Sequence, residues 1–274
     1  MSFFNSPAAY TLLIALYGVS IGLFYADFLR DNRIASRMGL AMLSVVFAFV
    51  TMIMGIRISL DHLLPFFSSG QVIIFFAWLL IGVSIFINYF SRIDYFTLFM
   101  NILGFIFVVF DAFVHGQSLE ATYGQRDLLL LHIGVALVSY IAFTLSVIFS
   151  LLYLLEDSAL RFKRFQSGSF RRLPPLERLD LYALRSAVIA LPLMLLGLIL
   201  GILWYFLLSG KFVLLDPKPL GAIGLSLLYG FYAYARSSGW MTGRRAAWLN
   251  LACFFAVLVN FLFVGELASD FHRW

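Results

Sequence analysis

The sequence predicts an all-α membrane protein, a polytopic bundle of eight transmembrane helices with both the N-terminus and the C-terminus outside. Three observations lead there. Of 274 residues, 62% are hydrophobic and 12% are charged, whereas a soluble domain carries about 25% charged residues. The apolar residues fall into eight runs near the ~20 residues that a helix needs to cross the hydrocarbon core. The positive charges, finally, lie mostly in alternate connections.

The runs are 8–28, 38–56, 72–90, 95–114, 128–155, 187–208, 220–236 and 246–267. Residues 1–29 contain no Lys or Arg. The charged start of a cleavable signal peptide is therefore missing, and the first run is expected to remain as a span. LRDNRIASR separates it from the second, and RISLDHLLPFFSSGQ leads to the third. SRID makes a tight connection to the fourth, and HGQSLEATYGQ opens the fifth. A long basic stretch, 156–186, precedes the sixth. That sixth run holds Pro192, expected to kink it, and Gly197 and Gly201, a GxxxG pair that permits close helix approach. SGKFVLLDPKPLG (209–221) then breaks the chain with two prolines before the seventh run, and SSGWMTGRR before the eighth. No repeat and no linker divides the chain, so residues 1–274 read as a single membrane domain.

With the N-terminus outside, the inner connections hold Arg30, Arg33, Arg37, Arg92, Arg161, Lys163, Arg164, Arg171, Arg172, Arg178, Arg185, Arg236, Arg244 and Arg245. The outer side keeps Arg57, Arg126, Lys211, Lys218 and Arg273. The pI near 9.4 thus reflects the positive-inside rule rather than nucleic-acid binding. The 156–186 stretch reads either as an interfacial segment on anionic lipid or as a docking surface for a cytoplasmic partner.

Composition also narrows the chemistry. The single cysteine, Cys253, excludes an intrachain disulfide and a CxxC redox pair. No HExxH or CxxC spacing supports a zinc site, and no nucleophile–base pair can be assembled, so an enzyme is not expected. A small-solute transporter is a further class, but paired unwound segments in symmetric halves are missing. Asp111 and Glu266, near outer helix ends, are candidate buried acids that could relay protons, although acids this close to an interface usually reach water. The aromatic residues, 18% of the chain, suit lipid contact and core packing and are compatible with a large flat ligand.

The four histidines, His62, His115, His132 and His272, all fall on the outer side of this topology. His62 and His115 belong to loops. His132 lies five residues past Asp127 inside an apolar run, roughly 7 Å along the helix at 1.5 Å per residue. His272 follows the last run in ASDFHRW. An ionisable group within a membrane helix suggests function, and histidine is a common haem ligand. His132 and His272 could clamp a macrocycle from both faces; His132 could equally be a hydrogen-bonded core residue.

Three segments carry a resemblance: LLHIGVALVSYIAFTLSVIFSLLYLLED with its His132-to-Tyr140 pattern, LDLYALRSAVIALPLMLLGLILGILW followed by DPK, and YGFYAYARSSGWMTGRRAAWLN. Together they resemble the membrane haem-handling superfamily of cytochrome c assembly proteins (CcsA, CcmC and CcmF types), within it the HemX type. His132 matches the helix bearing the first outer haem-ligating histidine of that family. Asp216, Pro217 and Lys218 look like the end of its tryptophan-rich haem-presenting signature. The chain departs at Ser209, Val213 and Leu215, where the family carries tryptophans, and at Tyr234, in the place of a membrane-embedded histidine of the synthases.

The resemblance implies an inner-membrane protein of bacteria that binds haem b (iron protoporphyrin IX) through His132 and His272. Lys218, Arg126 and Arg57 are the outer cations able to meet its propionates. The alternative for the DPK stretch is Asp216 capping the next helix. The HemX type further implies restraint of tetrapyrrole synthesis through the level of glutamyl-tRNA reductase, with 156–186 as the contact. The alternative is transport or handling of haem for a cytochrome c maturation partner. Haem ligation to apocytochrome is not expected without the tryptophans.

Overall fold

A computed structural model describes residues 7–30, 32–61, 69–91, 94–114, 126–161, 174–212 and 214–264. Within them all regular structure is helical: α1 (Pro7–Arg30), α2 (Arg33–Asp61), α3 (Ser69–Ser91), α4 (Asp94–Val114), α5 (Arg126–Arg161), α6 (Leu176–Ser209), α7 (Pro217–Ser237) and α8 (Arg244–Val259), the last running into a π-helical turn, Asn260–Val264. Lipid offers no partners to backbone N–H and C=O groups, and a helix satisfies both within one segment. All the described helices except α7 are long and apolar enough to cross a membrane. In α7 the sequence PKPLGAIGLSLLYGFYAYARS dilutes its aliphatic residues with glycine, serine and tyrosine. The protein is a multi-pass membrane protein.

Two helices differ from their expected extents. α5 has 36 residues and α6 has 34, so at 1.5 Å per residue each exceeds 50 Å, against ~30 Å of hydrocarbon. Both therefore run into the stretch expected to be a basic loop, α5 as far as Arg161 and α6 from Leu176. Hydropathy fades at Glu156, but EDSALR keeps residues that favour helix, and α6 starts where Pro175 and Glu177 suit a helix N-terminus. α6 also continues unbroken through Pro192.

The chain forms two compact units, Met1–Leu119 with Ala159–Leu173, and Glu120–Ser158 with Pro174–Trp274. In the first, α1 packs on α2 and α4, and α3 on α2 and α4. Buried polar groups tie these helices together. The Tyr17 hydroxyl donates to Asn101 Oδ1 (3.0 Å), and Asn101 Nδ2 donates to Ser84 Oγ (2.9 Å). The Tyr10 hydroxyl donates to Asp111 Oδ2 (2.7 Å). Asp111 is fully buried, the buried-acid reading of this residue rather than the usual case of an acid near an interface reaching water.

In the second unit α5 and α6 are joined by a repeating clip. His132 Nδ1 meets the Gly197 carbonyl (2.6 Å), Ser139 Oγ donates to the Ala190 carbonyl (3.0 Å) and Ser146 Oγ to the Ala183 carbonyl (2.7 Å). The donors are seven residues apart on one helix, and so are the acceptors, in reverse order, on the other. Two antiparallel helices that cross at a shallow left-handed angle keep positions seven apart in contact. Farther along, Asn250 of α8 donates to Ser146 and Ser150 (2.8 Å each), and the Arg236 guanidinium of α7 pairs with the Asp180 carboxylate of α6.

Candidate functional site: a histidine seated on a glycine pair

His132 sits at the first clip of the seam. A carbonyl oxygen only accepts, so the 2.6 Å contact with Gly197 puts a proton on Nδ1, and in the neutral imidazole this is the Nδ1–H tautomer. Nε2 then carries the lone pair. Among the described residues Nε2 has no hydrogen-bond partner. The core-histidine reading is thus realised on one nitrogen, while the other keeps the form that binds a metal.

The GxxxG pair, expected to serve helix packing, also builds the seat. Gly197 presents its carbonyl and lies against Ala136, where an added Cβ would stand 3.5 Å away. Gly201 lies against the imidazole itself. A Cβ there would stand 2.6 Å from His132 Cε1 and 2.8 Å from Nδ1, closer than packed atoms tolerate. Only a residue without a side chain leaves room for the ring.

The DPK stretch borders the same end of the unit. Gly210 ends α6 in the left-handed region (φ 69°), and its N–H donates to the Phe206 carbonyl. Asp216 caps α7, its Oδ1 accepting from the Lys218 N–H (3.0 Å), and Pro217 takes the first helical position. The capping role of Asp216 is therefore present. The Lys218 ammonium donates to the carbonyls of Asn260 (3.0 Å) and Phe261 (3.3 Å) and lies within electrostatic range of His132. Phe261 in turn packs edge-on against Tyr140 of α5 (ring centroids 4.9 Å apart).

Of the expected site residues, His132 and Lys218 share this end of the second unit. Arg126 begins α5 there, with its side chain outside the described residues. Arg57 lies on α2 in the first unit, its side chain likewise outside them. His272 falls outside the described residues, as do His62, His115 and Glu266. Tyr234 is exposed. Sequence reasoning overlooked Gly201 as a seat and Asn260–Phe261 as acceptors. The first was readable from a GxxxG in the helix following a buried histidine; the π turn has no sequence signal of comparable strength.

A family model described as cytochrome C assembly protein matches residues 67–272. The chain belongs to the cytochrome c assembly protein family. Within it, the chain is 35% identical to Protein HemX of Brevibacillus brevis, covering 97% of both chains. Identity to Protein HemX of Bacillus subtilis (strain 168) is 32%, over 94% of both. Cytochrome c biogenesis protein CcsA of Guillardia theta is 24% identical, over 100% of this chain and 96% of its own. The family match takes in every residue of the histidine seat and of the DPK stretch. The whole of α1 and of α2 precedes it, whereas the similarity to HemX of Brevibacillus brevis covers 97% of the chain.

Proposed function

We propose that this cytochrome c assembly family member is a haem-binding protein of the bacterial inner membrane, with His132 Nε2 as an axial ligand and His272 as the second. The observation that carries this reading is the Nδ1–Gly197 bond, because a metal-ligating histidine almost always gives its other ring N–H to a carboxylate, a backbone carbonyl or water. The residues fit the group: a neutral imidazole in the right tautomer, on a helix that fixes its ring, near an end of the unit that also carries cationic residues. Haem, when bound, supplies an iron centre whose axial positions accept imidazole nitrogen. His132 binds, Gly197 holds its proton on Nδ1, Gly201 leaves it room, and Arg126 is the cation proposed for a propionate.

In this reading all eight helices span, including α7, whose 21 residues reach about 31 Å, and both chain ends face out. The test is the absorbance of detergent-purified protein, oxidised and reduced, beside His132→Ala and His272→Ala. A Soret band weakened in both variants supports two axial histidines, and weakening in His132→Ala alone supports one. A band unchanged in His132→Ala removes the assignment.

The similarity to HemX proteins supports a biological role in restraining tetrapyrrole synthesis through the level of glutamyl-tRNA reductase. The contact is proposed on the inner ends of α5 and α6, where Glu177, Arg178 and Arg185 are exposed. Capture of the reductase by the full-length protein should fall when Arg178→Glu and Arg185→Glu are combined; undiminished capture argues against this surface. The CcsA similarity and the retained DPK favour a second reading, haem handling for cytochrome c maturation. Reconstituted maturation that depends on this protein would select it.

A further inference from the structure

Lys218 occupies an unexpected place. It lies in the first turn of α7, at the positive end of that helix's dipole, where a cation is disfavoured. Its ammonium instead meets the end of α8, bonding the carbonyls of Asn260 and Phe261, where the partial charge is negative and a cation is stabilised. At that point α8 changes from α to π pairing, and the wider turn disturbs the regular ladder of carbonyl partners.

Two further contacts converge on the same residues. A Cβ on Gly221, one turn beyond Lys218 in α7, would overlap the Asn260 carboxamide, so α7 and α8 touch there through a position that admits only glycine. Phe261 rests on Tyr140, two turns along α5 from His132. The π turn is thus held from α7 by a charge and a close approach, and from α5 by an aromatic ring.

We propose that Lys218 is a positioning residue that clasps the π turn of α8 to the start of α7, holding Asn260 and Phe261 against Tyr140 of the helix that carries His132, rather than a direct partner of haem carboxylates. The proposal deepens the haem-binding reading above and rests on it only for its consequence; the clasp itself exists without haem. An ammonium giving two of its three N–H bonds to carbonyls has little left for a propionate.

The test uses full-length protein in detergent. Hydrogen exchange on the preparation without added haem should be about tenfold faster at the 255–264 backbone in Lys218→Met, as expected for loss of charge-assisted hydrogen bonds that hold a helix end. Gly221→Ala should do the same by displacing Asn260, without altering charge, while α2 and α4 exchange as in the wild type. In the haem-loaded protein both variants should release haem faster, and the double variant no faster than the worse single. Unchanged exchange in Lys218→Met would overturn the clasp. Faster haem release in Lys218→Met with wild-type release in Gly221→Ala would also overturn it, in favour of direct carboxylate contact. A wild type that takes up no haem would defeat the haem reading while leaving the exchange result to decide the clasp.

Discussion

The two nitrogens of His132 face different tasks, and two glycines one turn apart divide the work of holding the ring. Gly201→Ala places a methyl 2.6 Å from Cε1, so the imidazole must move and its bond to Gly197 must lengthen. Overpacking of this kind costs about 1–3 kcal/mol, and haem retention should fall with it. Gly197→Ala meets Ala136 at an ordinary 3.5 Å and should cost less than its neighbour. Thermal unfolding and Soret intensity of the two variants, side by side, check the contrast. The DPK stretch follows the same residue-level logic. Gly210 and Asp216, retained from the family signature, perform backbone work as an αL terminus and an N-cap. Leu215, where the family has tryptophan, is 86% exposed. Asp216→Ala should cost about 1 kcal/mol, as other N-cap losses do, read as a lower melting temperature in detergent.

At the scale of elements, the α5–α6 seam is a row of donors facing a row of carbonyls at equal spacing. Ser139→Ala and Ser146→Ala should each destabilise by about 0.6 kcal/mol, the typical value for a polar contact between membrane helices. The effect should be detectable as a shift in the unfolding midpoint in mixed detergent. The eight helices were legible as apolar runs, seven of them long and apolar enough to cross a membrane, because about 20 apolar residues bounded by charge have few other fates. The ends of α5 and α6 were not, since hydropathy reports where lipid stops, while EDSALR and LERLDLYALRS continue to favour helix in water. His132 stood out as a polar residue in an apolar run. Its seat did not, because the seat depends on which α6 carbonyl it meets, a matter of register between helices 65 residues apart in sequence. Asp111 was left open for a similar reason: its closeness to a helix end suggested water, whereas Tyr10, 101 residues away in sequence, covers it. Tyr10→Phe should leave that buried carboxylate short of a donor and cost about 1–3 kcal/mol, measured as lowered thermal stability of the purified protein.

For the whole molecule, charge placement and helix order make a joint prediction about sidedness. Cysteines introduced singly at Lys211 and at Ser238, in a Cys253→Ser background, should react with an impermeant maleimide from opposite faces of the membrane, Lys211 from outside. Labelling of both from one face would remove α7 as a span. The central claim concerns a smaller object, the free Nε2 of His132. His132→Gly, purified with and without added imidazole, tests it most directly. Loss of the Soret band and its return on imidazole addition is the predicted result, because the vacated seat beside Gly197 and Gly201 would admit the free ligand. A His132→Gly protein with the wild-type spectrum, imidazole or no imidazole, would contradict it.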